Sequence, residues 1–120
     1  MGNIQTILDK VMDIDGAIGV ALADHDSGMC LGTAGGRPGF DLEVAAAGNS
    51  EVIRSKHKVM SSLGLDDQIQ DILITLGREY HLMFPQPNSS LFMYICLSRQ
   101  GGNLALARHK ITEFMKELTV

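Results

Sequence analysis

The sequence has no tryptophan, and aromatic residues make up only 5% of its 120 residues. A hydrophobic core in this chain must therefore be built from aliphatic side chains, methionine and alanine. Hydrophobic residues reach 45% of the total, which is ordinary for a folded chain and too high for a disordered one. The length suffices for one domain with one core, which we expect to span residues 1–120.

Positive charge is neither abundant nor clustered. The formal net charge is −4, and no run of lysine and arginine occurs, so we expect no nucleic-acid partner bound through the phosphate backbone. The basic patch formed by Arg54, Lys56, His57 and Lys58 lies in a predicted helix. It is typical of a solvated helix face.

Long apolar runs and numerous cysteines are also missing. No segment approaches the roughly 20 apolar residues that a membrane helix needs, and no signal peptide is recognisable at the start. The two cysteines, Cys30 and Cys96, are too few for a secreted disulfide scaffold, so we expect free thiols. These patterns predict a cytoplasmic protein with no membrane insertion.

Catalytic and cofactor-binding motifs are absent as well. The glycine-rich segment 32–39 lacks the Gly-Lys-Ser/Thr end of a phosphate-binding loop, because Arg37 and Pro38 interrupt it. No serine lies in a nucleophile motif. The spacing of the histidines fits no metal-binding motif. The sequence therefore predicts a protein that is not an enzyme and that holds no metal or cofactor. The histidines are His25, His57, His81 and His109.

Hydrophobic periodicity predicts a helix and then a β-hairpin in the first third of the chain. Apolar residues at three- and four-residue spacing indicate an amphipathic helix over Asn3–Ile14, with Asn3 as its N-cap. Small and branched residues predict a strand over Ala17–Asp24, and its glycine and alanines suggest that another element packs closely on it. The tight-turn sequence at 26–28 makes Met29–Ala34 the hairpin partner.

A long helix is predicted after the flexible loop Gly35–Phe40. Asp41 is a suitable N-cap and Gly64 a C-terminal stop, so the helix spans Asp41 to about Leu63. Because glycine inside a helix costs about 1 kcal/mol relative to alanine, Gly48 indicates either an imperfect helix or the close approach of another backbone. The face expected to lie on a sheet contains Leu42, Ala45, Ala46, Asn49, Ile53, Val59, Met60 and Leu63. A neighbouring face of mostly small residues contains Val44, Ala47, Gly48, Glu51, Ser55 and Ser62.

Three strand-like runs and a closing helix make up the remainder of the chain. The runs are Gln68–Leu76, Tyr80–Pro85 and Leu91–Ser98, and the helix covers Asn103–Leu118. Each run is apolar on both of its alternating faces, which is typical of strands that are covered on both sides. The element order α-β-β-α-β-β-β-α therefore predicts an α+β fold whose sheet lies between helices.

Several short strings in this pattern carry a family resemblance. The opening consists of Ile7-Leu8-Asp9-Lys10-Val11 followed by Asp15-Gly16-Ala17-Ile18-Gly19-Val20-Ala21-Leu22, with a hairpin turn at residues 26–28. The later strings are residues 69–76, residues 91–97 and the start of the last helix at residues 103–108. With these strings the chain resembles the roadblock/dynein light-chain family, especially its prokaryotic members that accompany small Ras-like GTPases. The resemblance covers nearly the whole chain.

The resemblance implies a profilin-like architecture and a dimer. The expected sheet has five antiparallel strands in the order 2-1-5-4-3, with the long helix on one face and the two terminal helices on the other. In a homodimer, Gln68–Leu76 would meet its own copy edge to edge, since an exposed apolar edge strand is otherwise an aggregation hazard. The residues implied at the interface are Ala47, Gly48, Glu51, Ser55, Ile69, Ile72 and Ile74.

The resemblance also implies a small GTPase as partner, which leads to the prediction of a non-catalytic adaptor or regulator. Activation of a GTPase in trans often uses an inserted arginine. Arg37 in the loop and Arg54 on the long helix are the candidates, with Lys58 as a further partner contact.

An alternative function is that of a small-molecule sensor of the PAS, GAF or profilin-like type, because those folds also place helices around a five-stranded sheet. Such a domain would need a pocket between the sheet and a helix. Met83, Phe84, Phe92 and Met93 are the residues that could line such a pocket, although they also fit an ordinary core.

Overall fold

The computed structural model describes residues 2–120 and contains three helices and five strands in the predicted order. The helices are α1 (Ile4–Met12), α2 (Leu42–Ser62) and α3 (Leu104–Glu117). The strands are β1 (Ala17–Asp24), β2 (Cys30–Gly35), β3 (Ile72–Thr75), β4 (Glu79–Pro85) and β5 (Leu91–Ser98). They form one antiparallel sheet in the order β2-β1-β5-β4-β3, which confirms the predicted fold class and strand order. Within residues 2–120, no helix combines the length and the apolar character that a membrane crossing requires.

The central strand β5 is buried on both faces. It lies between β1 and β4, and its residues 92–97 are all inaccessible to solvent. On one face, α1 and α3 contribute Leu8, Val11 and Ile111 to the core. On the other face, α2 contributes Ala46 and Ile53 to a second core cluster. The two-sided apolar pattern of this strand therefore correctly predicted a sheet between helices.

The small residues of β1 let α2 approach the sheet closely. A Cβ atom added at Gly19 would lie 2.9 Å from the Leu42 side chain, closer than carbon atoms can pack. Ala21 and Ala23 further along the strand are fully buried in the cluster below α2. The helix packs mainly against β1 and β2, which leaves the opposite flank of the sheet, at β3, less covered.

The ends of α2 follow the predicted capping signals. The Asp41 carboxylate accepts hydrogen bonds from the backbone amides of Glu43, at 2.9 Å, and Val44, at 3.3 Å. These amides have no partner within the helix, so the cap satisfies them. At the other end Gly64 has a φ of +66°, the left-handed conformation that glycine adopts readily after a helix.

The predicted sheet-facing side of α2 is partly wrong. Val59 is 47% exposed and Leu63 is 67% exposed, whereas Ser50 is fully buried. Ser50 tolerates burial because its hydroxyl donates a hydrogen bond of 2.9 Å to the carbonyl of Ala46. Leu63 is exposed because it follows the last helical turn. The buried side consists of Leu42, Ala46, Ser50, Ile53 and Met60.

The predicted third strand, Gln68–Leu76, is too long. Only Ile72–Thr75 pairs with β4, where Ile72 lies opposite Met83. Continuing that register places Gln70 opposite Pro85, and proline has no amide hydrogen to donate to the ladder. Asp71 instead pairs with Arg108 of α3, at 3.0 Å. The other predicted boundaries differ from those observed by at most two residues.

Asn3 does not cap α1 as predicted. No hydrogen bond from its side chain reaches the first turn of the helix. Its side-chain Nδ2 instead donates to the carbonyl of Glu117, at 2.8 Å, and its side-chain oxygen accepts from the backbone amide of Thr119, at 2.7 Å. The residue therefore joins the two ends of the described chain.

We expect Ile53→Ala to destabilise the fold strongly, because Ile53 is fully buried under α2. Removal of its side chain leaves a cavity, and the free energy of unfolding should fall by about 2–5 kcal/mol. Leu63→Ala, at the exposed end of the same helix, should change it by less than about 0.5 kcal/mol. Urea denaturation measures both values, and similar losses for the two variants would contradict the observed orientation of α2.

We expect Asp24 to make the stability of the β1–β2 turn depend on pH. The amides of Ser27 and Asp26 donate to its carboxylate, at 3.2 and 2.8 Å, which keeps the pKa of Asp24 below its usual value. A lowered pKa stabilises the folded state above the ordinary carboxyl pKa, and this contribution is lost as the pH falls through the folded value. The stability gap between wild type and Asp24→Ala should therefore shrink on acidification, as followed by urea denaturation from pH 7 to pH 3.

The exposed Asp66→Ala variant is the matched control, since Asp66 lies in the solvent-exposed segment after α2. Its stability gap to wild type should stay nearly constant over the same pH range. An equal acid trend in both variants would contradict the role assigned to Asp24.

Candidate functional site

The β3 flank is the least covered side of the sheet. We define it as the β3 edge together with the small-residue stripe of α2, which consists of Ala47, Gly48, Glu51 and Ser55. Strand β3 pairs only with β4, so the backbone groups on its outer side have no partner strand within the described chain. Its Ile72, Leu73 and Ile74 are half-buried, and the four stripe residues are all exposed. The flank thus presents both an open strand edge and a helix surface of small side chains.

A shallow groove runs between α2 and the segment that leads into β3. Its volume is about 440 Å³. Ile69, which was predicted to lie in the third strand, is half-buried before β3 begins and lines this groove. Exposed apolar side chains, including Val59, Leu63 and Leu65, extend the apolar surface beside it. The groove is lined by Val52, Lys56, Met60, Leu65, Asp67, Gln68, Ile69, Asp71 and Ile72.

No element of the chain requires the glycine at position 48. A Cβ atom built on Gly48 would have no heavy atom within 4 Å, so the residue faces open space. Of the two explanations left open by the sequence, close approach within the same chain is therefore excluded. An imperfect helix or the approach of a second chain remains.

The three residues predicted to contact a partner differ in their surroundings. Arg37 donates two hydrogen bonds to the carboxylate of Glu79, with Nη1–Oε2 and Nη2–Oε1 distances of 2.8 and 3.2 Å. Arg54 donates to the carbonyl of His25 and pairs with Glu51. Lys58 is exposed on α2. The structure therefore brings Arg37 and Arg54 into contacts within the chain and does not join the three into one site.

The loop between β2 and α2, predicted to be flexible, is fastened at several points. Besides its ion pair with Glu79, the Arg37 guanidinium lies 4.7 Å from the centre of the Phe40 ring, a cation–π geometry. The backbone of the same two residues forms an isolated β-bridge. The amide of Gly36 donates to the carbonyl of Ile18, at 2.7 Å. The loop is thus held against the sheet.

A polar cluster lies where this loop meets the sheet, and we define it as Glu79, His81, Tyr94 and Cys96. His81 Nε2 is 2.9 Å from Glu79 Oε1 and 3.6 Å from Cys96 Sγ, while His81 Nδ1 is 3.1 Å from the Tyr94 hydroxyl. Strand pairing explains the cluster. Glu79 and His81 are two residues apart on β4 and therefore lie on the same face of the sheet. Cys96 on β5 is the direct cross-strand partner of His81.

The charge of the cluster is concentrated on Glu79. Hydrogen bonds from Arg37 and then from His81 lower the pKa of Glu79 to about 2. Burial raises the pKa of Cys96 to about 12, with a further contribution from the Glu79 charge. Burial likewise raises the pKa of the Tyr94 hydroxyl well above its usual value. In this state the thiol and the phenol are neutral hydrogen-bonding groups.

The sequence contained a signal for this cluster that histidine spacing did not reveal. The string Glu79-Tyr80-His81 places a carboxylate and an imidazole on the same face of a predicted strand. A cysteine lies on the next predicted strand. What the sequence could not supply was the register that sets Cys96 opposite His81, because register depends on the turn and on packing.

The four residues suggested for a sensor pocket do not share one. Met83 and Phe92 are buried on the α2 face, whereas Phe84 and Met93 are buried on the other face. A separate cavity of about 620 Å³ opens at the end of the sheet near the β4–β5 turn and includes His25, His57 and Phe84 in its lining. The four residues therefore do not line one common pocket between the sheet and a helix.

No family model matches the sequence, and no curated protein matches it. Solved structures match over nearly the whole chain. MglB of Myxococcus xanthus superposes with a TM-score of 0.84 at 16% identity, covering 96% of this chain and 90% of that chain. The Roadblock/LC7 domain from Streptomyces avermitilis gives a TM-score of 0.81 at 12% identity, with coverage of 93% and 91%.

The chain has the Roadblock/LC7 fold. This confirms, at the level of the fold, the family resemblance drawn from the sequence strings. A third similar structure is an MglB with a tetrameric arrangement, at a TM-score of 0.70 and 12% identity, covering 94% of this chain and 88% of that chain. Sequence identities this low establish the fold alone. The features that bear on the function of this chain are those of its own surface.

We expect Arg37→Ala to release the loop between β2 and α2. The variant loses the two hydrogen bonds to Glu79 and the contact with Phe40, so the free energy of unfolding should fall slightly, as for a solvent-exposed ion pair. Hydrogen exchange measured by NMR should show faster exchange of the Gly36 and Phe40 amides.

Arg78→Ala is the matched control, because Arg78 is an exposed arginine in the neighbouring β3–β4 turn. It should leave the exchange of the loop amides unchanged. Equal exchange rates in wild type and Arg37→Ala would show that the ion pair does not hold the loop.

Proposed function

We propose that this chain is a non-catalytic homodimeric adaptor that binds and modulates a small Ras-like GTPase. The observations that carry the proposal are the strand edge of β3, which has no partner strand in the described chain, and the exposed small-residue stripe of α2. The roadblock fold and the family resemblance of the sequence support the choice of partner. Two free cysteines fit a reducing cytoplasm as the site of action.

The strand edge favours a second copy of the chain as the occupant of the flank. Residues Ile72–Thr75 present an unpaired ladder edge, and their isoleucine side chains are only half-buried by the chain itself. Antiparallel pairing of two such edges satisfies the backbone groups of both copies and forms a twofold, self-complementary interface. The observed strand limits this pairing to four residues from each copy.

The helix stripe supplies the second part of the proposed interface. Because Ala47, Gly48 and Ser55 have small side chains and are exposed, the α2 helices of two copies can approach closely. Glu51 already forms an ion pair with Arg54 of the same chain. Because burying a charged pair is costly, we place this pair at the margin of the proposed helix contact. The groove between α2 and the segment that leads into β3 would be covered at the same time, with Ile69 contributing to the interface.

The arrangement favours modulation of the GTPase through surface contacts. Arg37 would have to leave Glu79, and Arg54 would have to leave His25, before either could enter a nucleotide site of a partner. Lys58 is exposed and available for a contact without rearrangement. We therefore propose Lys58 as a partner contact and Arg37 and Arg54 as residues that support the partner-binding surface from within the chain.

We expect Gly48→Arg to convert the dimer to a monomer without disturbing the fold. A Cβ atom at position 48 has no heavy atom within 4 Å outside its own stretch of helix backbone, and arginine is a better helix former than glycine. A large charged group on the stripe should, however, block the approach of a second α2. Light scattering should give twice the chain mass for wild type and the single chain mass for the variant.

The control is Ala105→Arg, which introduces the same side chain at an exposed position of α3, on the other face of the sheet. It should remain dimeric. A wild-type protein that is monomeric at micromolar concentration would rule out the homodimer.

The GTPase part of the proposal has its own test. Purified chain is added to the Ras-like GTPase of the same organism, and both complex formation and the rate of GTP hydrolysis are measured. Binding with a changed hydrolysis rate is the expected result. Absence of binding in both nucleotide states would contradict the proposed partner while leaving the dimer unaffected.

A further inference from the structure

Among the described residues, one group of three metal-ligating side chains comes together, and it lies within the polar cluster. The carboxylate of Glu79, the imidazole of His81 and the thiol of Cys96 each offer one ligand atom, and all three atoms lie within 4.8 Å of one another. Histidine spacing alone predicted no metal site. We propose that Glu79, His81 and Cys96 bind a zinc ion at the junction of the sheet with the loop between β2 and α2.

The strand geometry makes the three ligands a fixed set. Glu79 and His81 project from the same face of β4 because alternate residues of a strand share a face. Cys96 lies directly opposite His81 in the β4–β5 register. Ligands carried by two paired strands in the middle of a sheet keep their spacing far better than ligands on loops.

The two distances from His81 Nε2 to the other ligand atoms are close to those of a tetrahedral site. Bonds of about 2.0–2.3 Å to nitrogen, oxygen and sulfur place neighbouring ligand atoms roughly 3.3–3.6 Å apart. His81 Nε2 and Cys96 Sγ are 3.6 Å apart already. His81 Nε2 and Glu79 Oε1 are 2.9 Å apart, so the carboxylate must retreat by a few tenths of an ångström, which a glutamate side chain can do by rotation about its torsions.

The ligand types point to zinc among the common divalent ions. A thiolate and an imidazole are ligands of Zn²⁺ and Co²⁺, whereas Mg²⁺ and Ca²⁺ prefer sites made wholly of oxygen. Two of the ligand groups are reachable from solvent, since the side chains of Glu79 and His81 are 14% and 18% exposed. Three protein ligands leave a fourth position for water, as in zinc sites that are not closed.

The neighbouring groups fit the roles of partners that orient metal ligands. The Tyr94 hydroxyl lies 3.1 Å from His81 Nδ1, so it can hold the ring with Nε2 directed at the ion. Arg37 Nη1 donates to Glu79 Oε2 at 2.8 Å, which leaves Oε1 as the ligand atom. The longer bond from Nη2 to Oε1 would give way when the ion binds.

Metal binding in this site would be accompanied by proton movements that balance. The Cys96 thiol loses its proton to solvent and binds as thiolate. The imidazole of His81 loses its Nε2 proton to solvent and takes one from solvent at Nδ1, so it carries one proton throughout. The Nδ1–H group can then donate a hydrogen bond to the Tyr94 hydroxyl. One thiolate and one carboxylate then balance the two positive charges of the ion, while Arg37 remains as an excess positive charge nearby.

The site is tested with cobalt as a spectroscopic probe for zinc. Co²⁺ is added to the purified, chelator-washed protein, and the absorption band that arises from thiolate–cobalt charge transfer is recorded before and after competition with Zn²⁺. We expect one Co²⁺ per chain with this band, and its loss when zinc is added. Cys96→Ala should abolish the band, whereas Cys30→Ala, which removes the other cysteine, should leave it unchanged.

Two further variants test the assigned roles with smaller changes than the removal of a whole side chain. Glu79→Gln and Tyr94→Phe should each weaken zinc binding by about tenfold or more, as measured by competition with a coloured zinc chelator. Far-UV circular dichroism of each variant shows whether it has folded.

A folded wild-type protein that gives no charge-transfer band would overturn the proposal. So would a band that persists in folded Cys96→Ala, or one that disappears in Cys30→Ala. If Cys96→Ala fails to fold, unchanged zinc affinity in Glu79→Gln and Tyr94→Phe would overturn it equally. None of these outcomes depends on the proposed dimer or on the GTPase.

Discussion

The burial of β5 on both faces is the constraint on which the rest of the structure depends. Its side chains alternate between two layers, so each layer needs its own cover. Helices α1 and α3 supply one cover and α2 supplies the other. The residues directed to the first layer are Met93, Ile95 and Leu97, and those directed to the second are Phe92, Tyr94 and Cys96.

The same constraint explains why the polar cluster exists. Tyr94 and Cys96 lie on the most buried strand, and a buried polar group without a partner is costly. His81 on the neighbouring strand satisfies the Tyr94 hydroxyl, and Glu79 satisfies His81. Arg37 then neutralises Glu79 and fastens the loop to the sheet. A series of side-chain contacts thus connects the centre of the sheet with the loop that leads into α2. The proposed metal ion would bind among these side chains.

Much of the fold was predictable because its signals are local. The strands β1 and β5 and both ends of α2 follow from composition, turn residues and capping residues in the sequence itself. The mistakes all concern long-range packing. Whether Val59 faces the sheet depends on where α2 lies, and the length of β3 depends on the position of Pro85 in the partner strand. The cluster of Glu79, His81 and Cys96 required the register between β4 and β5, which no local pattern contains.

The position of α2 links the core to the proposed interface. Gly19 and the alanines of β1 allow this helix to pack closely on β1 and β2, because larger side chains there would collide with it. One helix cannot cover five strands, so the flank at β3 stays partly uncovered. A second copy that pairs along β3 would bring its own α2 over the joined sheets. The small residues of β1 and the small-residue stripe of α2 thus both concern the packing of α2. The small residues of β1 set where the helix lies in its own chain. In the proposed dimer, the stripe of α2 would set how closely the helix of the second copy approaches.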